Sequence, residues 1–353
     1  MIKNAIKFCL FMLIVFVILV VLGKMFVPRD KVNDGEGILY NIKGFYELED
    51  NTIDIMFLGS SSVYRTISPM TIWEDMGITS YDYGIPSARI YMNLYYIKDV
   101  LRSQKPKVIF ADVTTAFYPE RETEPAKRKS FDYMRWSKVK HEMMNDDAFD
   151  YDLDFLDKVS IIFPLLRYKE RRTRPNIYYY FENYHSISKG FVYDDRFKPS
   201  KKGFEYMNNF REAYKMDKGN TEYMIKAIEF CKKNNIDLVL TAYPNAQGWN
   251  INASKGLEEF ASTHDVKFLE LNTPESGLDW RYDTGDEGLH TNITGSIKTT
   301  KYVEKFIKEN YNFSSHKNDP KYSIWNKDLE KYKESEEKAI RRVEKKIQKN
   351  EKK

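Results

Sequence analysis

Cysteine is nearly absent: the 353 residues hold two, Cys9 and Cys231. Cys9 sits inside an apolar N-terminal run and Cys231 in a segment with helical spacing, so no disulfide between them is expected. A chain of this length buries enough surface to fold without covalent staples. Exported proteins often do without cysteine, so the count does not assign a redox compartment. Zinc-holding spacings are missing too. There is no C-x-x-C and no H-E-x-x-H, and no metal or cofactor is expected. The excess of positive charge is only +4, and it falls in the tail, where Lys327–Lys353 carries eleven Lys/Arg against seven Asp/Glu. That excess reads as a solvated helical face. Without basic residues interleaved with aromatics, or a nucleic-acid-binding module, a nucleic-acid partner is not expected.

What is present begins with a membrane segment. Phe8 to Gly23 is an uncharged run, FCLFMLIVFVILVVLG, extended by Ile6 before it and by Met25-Phe26-Val27 after Lys24. The stretch approaches the roughly 20 residues that a spanning helix needs, and Lys24 is positioned to snorkel to the headgroups. A cleaved signal peptide is the rival, but its apolar core is usually about 7–15 residues, and Val21-Leu22-Gly23 is a poor cleavage site. The chain therefore reads as a short cytoplasmic segment over 1–7, an anchor over 8–27 and a linker over 28–50. Lys3 and Lys7 with the terminal amine on one side balance Lys24, Arg29 and Lys31 on the other, so flanking charge does not set the orientation.

The body, 51–313, alternates short apolar runs with helical patterns. Ile53–Leu58, Lys107–Val113, Leu238–Tyr243 and Val266–Leu271 have the Ile/Val/Leu/Phe content of strands buried on both faces, and Ser80–Tyr83 is a further candidate. Helical spacing appears over Met92–Leu101, Thr221–Lys233 and Ser296–Tyr311. This order predicts an α/β fold with a doubly wound parallel sheet. The alternation fails from about residue 117 to 218, a stretch dense in Tyr, Phe, Arg and Lys that includes RTRPNIYYYFENYH. It reads as an insertion: a lid, a wall for stacking sugar rings, or aromatics packing a small core of their own. The tail, 314–353, reads as a charged helix or a disordered segment, with a brief stripe of Ile340, Val343 and Ile347.

Two loops carry chemistry. The first predicted strand ends in Gly59-Ser60-Ser61-Ser62, where open α/β sheets place their ligands. Near the end of the body, His290 stands in a polar loop, with Asp286 and Glu287 four and three residues earlier. Carboxylate, imidazole and hydroxyl are the parts of a relay in which the acid orients the base and the base deprotonates the nucleophile. Taken alone, a serine-rich turn is an ordinary helix cap and a loop histidine an ordinary surface residue. Their pairing points to a serine enzyme.

These blocks resemble the SGNH/GDSL hydrolase superfamily, and within it the membrane-anchored bacterial envelope branch that includes the D-alanine transfer and alginate O-acetylation proteins. The resemblance places the nucleophile on Ser61, flanked by Ser60 and Ser62. It puts the second block's glycine on Gly84, in Tyr83-Gly84-Ile85-Pro86-Ser87. The last block falls on Glu287, His290, Asn292 and Gly295, with Asp286 as a second candidate for the orienting acid. The family's Gly-x-Asn-Asp block is missing. The corresponding strand runs Phe110-Ala111-Asp112-Val113-Thr114-Thr115, which leaves Thr114 or Thr115 as stand-ins for the asparagine donor.

The resemblance implies a three-layer, flavodoxin-like α/β/α domain on the outer side of a single-pass anchor in the cell membrane. It implies an O-acyltransferase acting on an envelope polysaccharide or teichoic-acid-like polymer, with a multi-spanning membrane O-acyltransferase as partner. The alternatives are an esterase that deacylates an envelope glycan, and a non-catalytic glycan-binding or assembly protein on the same fold.

Overall fold

A computed structural model of the chain describes residues 2–27, 38–118, 124–150, 153–168, 184–201, 203–208 and 215–352. In chain order the elements are α1 (Ile2–Met25), α2 (Ile38–Tyr46), β1 (Ile55–Gly59), α3 (Ser61–Thr66), α4 (Pro69–Met76), β2 (Ser80–Gly84), α5 (Ile90–Val100) and β3 (Val108–Asp112). Five short helices follow: α6 (Glu124–Tyr133), α7 (Lys138–Met144), α8 (Asp147–Asp150), α9 (Phe155–Ile162) and α10 (Pro164–Tyr168). The chain then returns to alternation with α11 (Lys218–Lys233), β4 (Asp237–Ala242), α12 (Ile251–Thr263), β5 (Lys267–Glu270), α13 (Ile293–Asn310) and α14 (Ser323–Glu351).

The five strands form one parallel sheet in the order β2-β1-β3-β4-β5. Four were expected from apolar runs and β2 from the further candidate Ser80–Tyr83, and both faces of the sheet are covered as buried strands require. Side chains alternate between two cores. Met56, Leu58, Ile109, Ala111 and Leu240 join the larger core, with residues of α2, α5, α11 and α12. Ile55, Phe57, Val108, Phe110 and Val239 face the smaller one, with Val63 of α3 and Val303 and Ile307 of α13. Phe57 and Phe110 stack there at 4.9 Å between centroids. The register sets Gly59 opposite Gly84 at the carboxyl ends of β1 and β2. Strand order reverses between β1 and β3, and the crevice above that switch point is where this sheet type collects ligands.

α1 contains a stretch, Ile2–Gly23, of mean hydropathy 3.1, long and apolar enough to cross a membrane. Its second half touches the end of α9 and the start of α10: Phe16 meets Phe163 edge-on at 5.4 Å, and Gly23 lies close against Pro164 and Leu165.

The tail, expected as a charged helix or a disordered segment, is helical over most of its length. Residues 323–351 form one helix that buries Trp325, Asp328, Tyr332, Glu336, Ala339 and Val343. Ile340 and Ile347 of the expected stripe are only partly buried at its margin. Trp325 packs on Trp73 at 5.2 Å, Tyr332 hydroxyl bonds Ser68 at 2.8 Å, and Asp328 takes Lys189 at 2.5 Å and His185 at 2.7 Å. The apolar positions recur every three or four residues, so one face joins the core while the charges occupy the other. The aromatic run of the insertion lies outside the described residues except for Tyr184 and His185. Several described aromatics of that region, among them Phe131, Tyr133 and Tyr206, join the main core rather than a separate one.

Docking of α14 is therefore expected to be part of global stability. Trp325→Ala should cost about 3–5 kcal/mol in urea unfolding, while Lys349→Ala on the exposed face should stay within about 0.5 kcal/mol. Equal effects at the two positions would show that the helix is not docked.

Candidate functional site

Ser60 caps α3: its hydroxyl accepts the Ser62 N–H at 3.3 Å, and it donates to Asp112 Oδ2 at 2.8 Å. Ser61 is the first residue of that helix, so its backbone N–H has no helical acceptor. The turn needs glycine at 59. There φ is +150°, and a Cβ would stand 2.3 Å from the Cβ of Asp112. Gly84 is required for closeness instead: a Cβ there would meet the Ser60 carbonyl at 2.9 Å and the Tyr64 ring at 2.8 Å.

The second loop is wound around one hydroxyl. Thr284, fully buried, donates to the His290 carbonyl at 2.9 Å and accepts the N–H groups of Asp286 and Gly288 at 3.2 and 2.9 Å. This brings Asp286 beneath the imidazole. Asp286 Oδ2 lies 2.7 Å from His290 Nδ1, and Oδ1 accepts the His290 backbone N–H at 2.8 Å. On the other side of the ring, His290 Nε2 is 2.9 Å from Ser61 Oγ. The two loops thus join serine, imidazole and carboxylate in one line, with 14% of the His290 side chain and 21% of Asp286 exposed.

The choice between the two acids is resolved geometrically. Glu287 does not reach the ring. Its φ of +63° turns the residue outward, and its carboxylate pairs with Lys198 at 3.2 Å. Asn292 is buried and structural: it caps α13 through the Gly295 N–H at 3.2 Å and donates to the Tyr282 carbonyl at 2.8 Å. Thr114 is also turned inward. Its hydroxyl accepts the Tyr243 N–H at 2.9 Å, and its own N–H goes to Asp112 Oδ1 at 2.9 Å. Asp112 is therefore occupied on both oxygens, by Ser60 and Thr114. A cleft of about 510 Å³ walled by Lys201, Phe204, Trp280 and Arg281 does not include Ser61 or His290.

Three charged residues escaped the sequence reading. Arg196 stands 3.5 Å from Asp286 Oδ2. Its guanidinium is gripped by Asp194, which is buried and also takes Arg65 at 2.6 Å. Burial alone would raise the Asp286 carboxyl. The hydrogen bond and charge of His290, its backbone N–H and the Arg196 charge outweigh it and hold the group below its ordinary value. Asp194 behaves alike: burial pushes it up, and the bonds from Arg196 with the charges of Arg65 and Arg196 bring it down. The only signal in the sequence was the arginine beside Ser61-Ser62 and the acidic-basic Asp194-Asp195-Arg196 stretch, neither of which has a helical or strand period.

No family model matches the chain, and no curated protein matches it.

Both depressed carboxylates stabilise the fold above the ordinary aspartate value of 3.8, and that contribution is lost as pH falls through their lower folded values. Urea midpoints measured across this acid range should drop, and Asp194→Asn should flatten the drop. An unchanged slope in the variant would remove Asp194 from the account.

Proposed function

We propose that the protein is a serine acyltransferase, anchored in the cell membrane by α1 with its body on the extracytoplasmic side. It transfers an acyl group to an envelope polysaccharide or teichoic-acid-like polymer. The observation that carries the reading is the relay from Ser61 Oγ through His290 to Asp286 at the switch point of the sheet. The resemblance of the Ser61, Gly84 and His290 blocks to the SGNH/GDSL envelope branch supports the choice of substrate class and of a multi-spanning membrane O-acyltransferase as the partner that delivers acyl groups.

In the first half-reaction His290 Nε2 takes the Ser61 proton while Oγ bonds to the carbonyl carbon of an ester or thioester. The backbone N–H groups of Ser61 and Gly84 are the proposed donors to the resulting oxyanion. The tetrahedral adduct collapses, the donor's leaving group departs with the proton from His290, and an acyl-serine remains. In the second half-reaction His290 takes the proton of an acceptor hydroxyl. That oxygen attacks the acyl carbon, and Ser61 recovers its proton. Asp286 keeps the proton on Nδ1 and stabilises the imidazolium in both halves. Water in the acceptor's place would make the same site an esterase.

A fluorophosphonate probe should label the full-length protein at Ser61 and fail on Ser61→Ala. Labelling of the two proteins to the same extent would leave a binding or assembly role. Turnover of an acyl donor should rise on adding envelope glycan, with the acyl group recovered on the glycan; release as free acid alone would mark an esterase.

Ser61→Ala should lower turnover by about 10⁶-fold and Asp286→Asn by about 10⁴-fold, whereas Glu287→Gln should stay near wild type. A larger loss in Glu287→Gln than in Asp286→Asn would reverse the assignment of the acid.

A further inference from the structure

Outside α1, the most exposed large apolar side chains among the described residues are Phe155 and Leu156, at 78% and 69%. Both lie at the start of α9. Leu166 on α10 and Ile162 at the end of α9 extend the apolar surface. An exposed cluster of this kind on a soluble surface is a mark of contact with another phase or molecule.

Two further observations say which. The patch is not a loose excursion, because Arg128 of α6, almost fully buried, ties it to the body. Its guanidinium bonds Asp132 and both the hydroxyl and the carbonyl of Ser160 in α9, and Asp132 also takes the Tyr168 hydroxyl of α10. The same unit leans on α1 through Phe163 on Phe16 and Pro164-Leu165 on Gly23. At 1.5 Å per residue, those two contacts on α1 are about 10 Å apart along its axis. Hydrocarbon is roughly 30 Å thick, so a spanning α1 carries α9 and α10 down beside the last third of its course.

We propose that α9 and α10 form a second membrane contact, with Phe155, Leu156, Ile162 and Leu166 seated among the acyl chains of the leaflet that the second half of α1 crosses. The proposal rests on α1 spanning the bilayer. A single helix leaves a body free to swivel about it. A second apolar contact, rigidly joined to the body through Arg128, fixes the height and tilt of Ser61 over the membrane surface. The occupant is lipid because α9 and α10 are held against α1 at Phe163 and Pro164-Leu165, while other side chains of that helix, Val17 and Leu19 among them, stay exposed.

The test uses the full chain carrying Cys9→Ser, with buried Cys231 left in place. Single cysteines replace Phe155, Leu156, Leu166 or, as a reference in α1, Leu13, and each is labelled with an environment-sensitive nitrobenzoxadiazole dye. The proteins are placed in phosphatidylcholine–phosphatidylglycerol vesicles. Labels at 155, 156 and 166 are expected to lose emission to a nitroxide on the acyl chains as the label at 13 does, and to be shielded from aqueous iodide. Iodide quenching at 155, 156 and 166, with the label at 13 still quenched by nitroxide, overturns the proposal while leaving α1 as a span. Shielding of the three positions from both quenchers also overturns it, since protein rather than lipid then covers the patch. Failure of the nitroxide to reach position 13 overturns the spanning reading itself, and the proposal with it.

Discussion

The contact on which the site depends is the 2.9 Å approach of Ser61 Oγ to His290 Nε2, which joins residues 229 apart in sequence. Neither side chain supplies that closeness. Ser61 is fixed because β1 ends at a glycine whose missing Cβ lets the turn pass over Asp112. His290 is fixed because the buried hydroxyl of Thr284 gathers three backbone groups of its loop. The loops meet because α3 and α13 pack on the same face of the sheet, with Val63, Val303 and Ile307 in one core. The Thr291 hydroxyl adds a direct tie, donating to the Arg65 carbonyl at 2.9 Å. Loosening any of these would separate His290 from Ser61 without touching either side chain.

The electrostatic setting follows from how charges are shared. Arg196 next to Asp286 would by itself weaken the hold of that carboxylate on an imidazolium. Asp194 moderates this by engaging the same guanidinium with two oxygens, while also neutralising Arg65. The four groups sum to zero around the ring. Asp286 is thus held in place on both sides, by the His290 ring and by the shared Arg196.

Much of the fold was legible because it is written in side-chain chemistry that repeats. Four apolar runs and the candidate Ser80–Tyr83 became five strands, and three helical periods became α5, α11 and α13. α14 was under-read because its buried stripe is made of Trp325, Tyr332, Ala339 and Val343, diluted among lysines and glutamates. One of its buried polar members, Asp328, is meaningful only once Lys189 and His185 arrive from a segment some 140 positions earlier. Within the site, Ser61 and His290 were found by local motif. The acid was narrowed to Asp286 or Glu287, which differ by one position, and only the backbone at Glu287, with φ +63°, decides which of them turns under the ring. Arg196 and Asp194 belong to a loop with no period, so nothing local marked them.

The position at which the resemblance to the SGNH/GDSL pattern leads one to expect an asparagine is occupied by the end of β3. An aspartate at the end of β3 facing a developing oxyanion would oppose the chemistry. Asp112 does not present free oxygens: one is taken by the Ser60 hydroxyl and the other by the Thr114 N–H. Ser60 in turn receives the Ser62 N–H and so shapes the first turn of α3. The carboxylate is thereby used to hold the nucleophile's own turn. The Thr114 side chain is turned inward, where its hydroxyl accepts the Tyr243 N–H. On the proposed mechanism, the oxyanion would be held by backbone N–H groups at the ends of β1 and β2. The close glycine pair Gly59 and Gly84 keeps that corner free of side chains, and Ser60 and Asp112 hold it in shape.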